Sequence, residues 1–101
     1  MIVRIYAAAQ EDLVSGYRFY ESQAPGLGSY FLDSLIADID SLQFFAGIHM
    51  SVTGGYYRML ARRFPFAIYY LQKDETVLVY AVLDCRRNPA WTRKRIRDKG
   101  V

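Results

Sequence analysis

A chain of 101 residues that is 52% hydrophobic and 16% aromatic suits one packed domain spanning residues 1–101, and lies far from the disordered class. Cys85 is the single cysteine, which excludes an intrachain disulfide and a cysteine-built metal cluster and suits a reducing cytosol. No run approaches the ~20 apolar residues of a membrane helix, and the opening Met1-Ile2-Val3-Arg4-Ile5-Tyr6 lacks the apolar run of a signal peptide.

The net charge of +3 hides a polarity. Residues 1–54 hold two basic and six acidic side chains, a net of −4, whereas residues 55–101 hold eleven basic and four acidic ones, a net of +7. Such a division points either to an anionic partner for the second half or to a solubilising basic surface.

Ile2, Val3, Ile5 and Tyr6 suit a short strand. Leu13, Tyr17 and Tyr20 fall on one face of a helix predicted over 8–23, with Glu11 and Asp12 in its first turn and Pro25-Gly26 as its stop. Phe31, Leu35, Ile39, Leu42 and Phe45 form the apolar stripe of a second helix, over about 28–46. The short link between the two predicts an antiparallel hairpin. Residues 47–54 read as a loop. Residues 56–63, 66–71 and 76–83 are strand-like runs rich in Val, Ile, Tyr and Phe, with Lys73-Asp74-Glu75 as the last turn. Residues 89–98 read as a short basic helix or a frayed tail.

The order is β-α-α-β-β-β: an α+β fold in which a helical hairpin packs on one face of a four-stranded antiparallel sheet that includes the N-terminal strand. Alternation places Val77, Val79, Ala81 and Leu83 under the helices and leaves Tyr80, Asp84 and Arg58 on an open face. Cys85 then reads as a small core residue.

Several segments resemble a known family, in its order, over about residues 7–95. They are Leu13 and Tyr17 with Phe19-Tyr20-Glu21, Pro25-Gly26-Leu27-Gly28, and Phe31 with Leu35. Next comes the run from Tyr57 to Tyr70 containing Arg62-Arg63-Phe64-Pro65-Phe66. The last are Val79-Tyr80-Ala81-Val82-Leu83 and the exit Arg86-Arg87-Asn88-Pro89 with Trp91. Together they are similar to the RelE/ParE superfamily, the toxins and plasmid stabilisation proteins of type II toxin–antitoxin systems. The resemblance implies a growth-inhibiting toxin blocked by a cognate antitoxin protein. It implies no cofactor, metal, membrane or small-molecule substrate. RelE-like members cut mRNA on the ribosome without metal, whereas ParE-like members inhibit DNA gyrase by binding it.

Cleavage without metal needs a base, an acid and cations on the phosphate. Arg58 and Arg86 match the positions at which ribonuclease members keep phosphate-binding arginines, and one end of the sheet is expected to gather both. The places where those members carry an acid or base hold Asp84, Cys85, Trp91 and Thr92 here. The lone His49 reads as a loop residue, and Asp84 as an ion-pair partner of Arg86 or Arg58. This departure favours the ParE-like branch and a target-binding surface made by Arg62, Arg63, Arg87, Trp91, Arg93 and Arg95, with Arg86, Lys94, Arg97 and Lys99 nearby. An inactive member persisting as a binding module is a further alternative. Among Phe19, Leu60 and Phe66, any exposed residue would mark an antitoxin seat.

Overall fold

In the computed structural model, which describes residues 1–99, strand β1 (Ile2–Ile5) leads through Tyr6 into helix α1 (Ala7–Gln23). Helix α2 (Leu27–Asp40) and a single further turn, α3 (Leu42–Phe45), follow. The predicted second helix is therefore two pieces. Ser41 joins them, its hydroxyl donating to the Asp38 carbonyl at 2.6 Å. Such side-chain bonds compete with the helical ladder and bend it.

The remaining elements are β2 (Met50–Ser51), a 3₁₀ turn (Thr53–Gly55), β3 (Tyr57–Leu60), β4 (Phe66–Lys73), β5 (Thr76–Asp84) and α4 (Pro89–Lys99). The sheet order is β1-β5-β4-β3-β2. The expectation of four antiparallel strands needs correction. The sheet has five strands and is mixed, because β1 runs parallel to β5 (Ile2↔Thr76 to Ile5↔Val79) while the other pairs are antiparallel. The extra strand is a two-residue edge inside the predicted loop, too short to show an alternating pattern.

The helical hairpin is tight. Gly26 adopts φ +86°, a left-handed turn that a side chain would strain. Its amide and that of Gly28 donate to the two carboxylate oxygens of Glu21, at 3.0 and 2.9 Å. Glu21 thus caps α2 across the turn. Glu11 and Asp12 lie beyond the first turn of α1, which holds no acidic residue.

Two cores lie on opposite faces of the sheet. Leu13, Tyr20, Phe31, Leu35 and Ile39 pack on Ile68, Tyr70, Val77, Val79 and Val82. On the other face, Ile96 of α4 and the partly buried Trp91 cover Tyr56, Ala67, Tyr69, Ala81 and Leu83. The predicted open face is therefore covered by α4. The predicted grouping of Val77, Val79, Ala81 and Leu83 also fails. A bulge shifts the register from Tyr70↔Val79 to Tyr69↔Ala81, leaving Tyr80 as the extra residue. Side-chain alternation inverts across it, sending Ala81 and Leu83 to α4 and Val82 to the hairpin.

Candidate functional site

Two turns meet at one end of the sheet. Phe66 pairs with Asp84, and the Cys85 amide donates to the Pro65 carbonyl at 2.7 Å. The β3–β4 turn, carrying exposed Arg62 and Arg63, thereby lies against the exit of β5, carrying exposed Arg86 and Arg87. The Arg62 amide is anchored on the buried Asp38 carboxylate at 3.0 Å, while its side chain stays exposed.

Arg58 and Arg86 approach this end from opposite faces. Arg58 Nε donates to the Tyr69 hydroxyl at 3.2 Å, and its terminal nitrogen lies 3.8 Å from Cys85 Sγ. Arg86 instead forks onto Asp84, at 2.9 and 2.7 Å, and reaches the Tyr20 hydroxyl at 3.4 Å on the hairpin side. The Arg86 amide adds a third bond to Asp84, at 2.8 Å. This bonding to Arg86 holds the Asp84 carboxyl below the usual carboxylate range, although partial burial opposes it. Asp84 belongs with Val82 on the hairpin side of the strand, not with Tyr80 and Arg58 as alternation alone suggested. Cys85, expected in the core, is exposed.

His49, just before β2, packs against Tyr70 on another part of β4. Its Nδ1 shares a short hydrogen bond with the Tyr70 hydroxyl, which also accepts from the Gly47 amide at 3.0 Å. Tyr57 stacks on Tyr70 with ring centroids 5.3 Å apart. Burial lowers the pKa of His49. The ring thus fastens the 47–51 segment to β4, and neither Arg58 nor Arg86 is bonded to it. No group of His, Cys, Asp and Glu suited to a metal ion occurs among the described residues.

Helix α4 carries five basic residues, Arg93, Lys94, Arg95, Arg97 and Lys99. The Asn88 side chain accepts from the Ala90 amide at 2.7 Å and caps its start. Trp91 and Arg95 stand one turn apart on α4 while Arg87 precedes the helix, and the guanidinium carbons of Arg87 and Arg95 lie 4.4 and 5.3 Å from the indole centroid. Arg95 also pairs with Asp12 of α1 at 2.6 Å. Arg93, Lys94 and Arg97 point to solvent, and the Lys99 side chain lies outside the described residues.

Sequence reasoning missed Asp12. Because β1 stops opposite Val79, the edge of β5 beyond it has no neighbouring strand. The Asp12 carboxylate accepts the Val82 amide there at 3.0 Å and holds Arg95 with its other oxygen. One residue therefore ties α1, the bulged strand and α4 together. Its signal was spacing, since Asp12, Gly16 and Tyr20 fall at i, i+4 and i+8 on the buried stripe of α1. Between α1 and α4, along this bare edge, runs a groove of ≈ 340 Å³ whose lining includes Phe19, Phe66 and Val82 and whose rim carries Arg87, Trp91 and Arg95. Of the apolar residues singled out from sequence, Phe19 and Leu60 are 49% and 59% exposed, while Phe66 is buried.

This architecture is a RelE/ParE-like α+β fold. No protein-family model and no curated protein matches the chain. Among solved structures, it is similar to a chain of the chromosomal ParDE TA system from P. aeruginosa, with a TM-score of 0.72 and 18% identity, covering 81% of this chain and 92% of that one. That likeness establishes the fold. No helix among the described residues is long and apolar enough to cross a membrane.

Proposed function

We propose that the chain is the toxin of a type II toxin–antitoxin pair, neutralised by a cognate antitoxin protein, and that it acts by binding DNA gyrase. The likeness to a ParDE chain supports the first part. The observation that carries the second is the engagement of Arg58 and Arg86 on opposite faces, with Arg86 closed by a two-pronged bond to Asp84. A metal-free ribonuclease needs its cations on one phosphate, with an acid and a base within reach. Here the neighbouring carboxylate serves as an ion-pair partner, and the only histidine is bonded to Tyr70 elsewhere.

Binding, by contrast, needs only a complementary surface. Exposed Arg62, Arg63, Arg87 and Arg93 supply long-range attraction, and the Trp91 stack with Arg87 and Arg95 supplies residues enriched among interface hot spots.

Two assays separate the readings. Purified chain added to gyrase inhibits supercoiling, and Arg87→Ala with Trp91→Ala weakens that inhibition. Primer extension in arrested cells finds intact messages. Gyrase left untouched at high excess, with cuts inside translated codons, overturns the gyrase reading in favour of a ribosome-dependent mRNA endonuclease. Unimpaired growth on expression without an antitoxin points to an inactive binding module.

A further inference from the structure

A run of exposed apolar side chains lies on the segment that leads into β2, the strand at one edge of the sheet. Phe44, Phe45, Ile48 and Met50 are 76%, 53%, 74% and 69% exposed. The Phe44 and Phe45 rings meet edge-on with centroids 6.3 Å apart, and the Ile48 amide donates back to the Phe45 carbonyl at 3.5 Å. On either side of Ile48, Gly47 and His49 are bonded to the Tyr70 hydroxyl, so the segment is pinned to the fold. Residues 41–57 contain no Asp, Glu, Lys or Arg. The backbone beside them is open as well. The Val52 amide donates to the Tyr56 carbonyl at 2.7 Å, and alternate residues of an antiparallel ladder face opposite sides, so the Ser51 amide and carbonyl turn away from β3. Among the described residues no strand lies beyond β2. Sheet edges are usually isolated by lysine, proline or an inward charge, and this one has none of them.

We propose that the β2 edge is the two-fold interface between two copies of this chain. Ser51 of each copy exchanges its outward amide and carbonyl with Ser51 of the other in one antiparallel bridge, and Phe44, Phe45, Ile48 and Met50 close around it. A bridge between identical residues is self-complementary, as a two-fold contact requires. The area suffices. At roughly 200 Å² for each aromatic, and slightly less for Ile and Met, the four side chains present about 500 Å² per copy. Two copies remove about 1,000 Å² through these side chains alone, which reaches the floor for a specific interface. Charge selects the occupant. The uncharged stretch offers no complement to an acidic or a basic partner, whereas a second copy matches it. A lipid surface would leave the Ser51 backbone groups unpaired in hydrocarbon. Helix α4 packs on β5, at the far side of the sheet from β2. The dimer therefore leaves Arg87 and Trp91 of both copies facing outward, and one assembly presents two target-binding surfaces. The interface stands whether or not the chain is a toxin.

Sedimentation velocity of the full chain across about 1–100 µM brackets the affinities expected of a contact this small. The particle reaches twice the mass of one chain at the upper end. Phe44→Ser with Ile48→Ser, and separately Met50→Glu, weaken association at least about tenfold. Ser51→Pro removes only the outward donor and weakens it as well. Leu60→Ser, an exposed apolar change on β3, leaves the mass unaltered. Position is read independently in a Cys85→Ser background, which removes the one native thiol. There Ser51→Cys is joined to a second copy by a short bis-maleimide, whereas Asp33→Cys, exposed on α2, is not. A single-chain mass at the highest concentration overturns the proposal, and flotation of that monomer with anionic vesicles reassigns the patch to a lipid surface. A dimer that survives all three β2-edge variants with unchanged circular dichroism, or that cross-links equally well through Asp33→Cys, overturns the β2 edge as its interface.

Discussion

Replacing Asp12 with alanine tests the tie between α1, β5 and α4. The Val82 amide, in a residue only 2% exposed, loses its acceptor. A buried donor left unsatisfied costs about 1–3 kcal/mol. Arg95 loses a partner at 2.6 Å, in a pair whose side chains are 28% and 10% exposed. Discounting for that partial exposure leaves about 1 kcal/mol. Together these give about 2–4 kcal/mol as an upper sum, because the two losses share one carboxylate and are not independent. For a domain of this size each 1 kcal/mol moves the midpoint by roughly 4–8 °C, so a fall of about 10–25 °C is expected. Asp12→Asn keeps an acceptor for Val82 and loses about half as much, roughly 1–2 kcal/mol. Urea unfolding followed by circular dichroism and Trp91 emission reads both variants. A loss below about 0.5 kcal/mol in Asp12→Ala refutes the reasoning, as that is the scatter of featureless surface changes. So does Arg95→Ala alone reproducing the whole loss, which would leave the Val82 bond worth nothing.

Gly28→Ala places a Cβ 2.6 Å from the Tyr17 carbonyl, a backbone atom of the facing helix; it lowers stability by about 1–3 kcal/mol in thermal melts, and an unchanged melt contradicts so close a crossing. Tyr56→Phe removes a buried hydroxyl that has no hydrogen-bond partner among the described residues; it raises stability by about 1 kcal/mol, and a loss in denaturant titration would reveal a partner. The pH profile follows from His49. Burial lowers its folded pKa below the ordinary value of 6.5, so the folded state binds fewer protons than the unfolded one. Stability is therefore complete above that value and declines as pH falls through it toward the folded pKa. Asp84 adds a second decline at lower pH, because its folded pKa also lies below the ordinary value. Urea midpoints measured from pH 8 to 4 show the upper decline, and His49→Gln flattens it; an unaltered profile in that variant assigns the decline elsewhere.

The helical stripes and the strand-rich second half were legible because they are local. Phe31, Leu35 and Ile39 at helical spacing identify α2 whatever it packs against, and Pro25-Gly26 ends α1 within the chain. The cationic exit was legible for the same reason, since Arg86, Arg87 and Trp91 adjoin in sequence. Failures began where a partner came from far along the chain. A parallel β1 depends on Ile2–Ile5 meeting Thr76–Val79, and nothing in a four-residue strand states its direction. The bulge at Tyr80 inverts every later side chain, so strict alternation misplaced Ala81, Leu83 and Asp84.

Sequence by itself thus determined the main helices and strands, their order, and the segregation of acidic from basic halves, because periodicity and charge are properties of neighbouring residues. Only the tertiary structure decided the use of those charges. It folded Asp12 against Val82 and Arg95, closed Asp84 on Arg86, and left Arg87 over Trp91 beside a bare strand edge. Whether a charge is spent inside the fold or offered to a partner depends on distances across the chain, which no local pattern encodes.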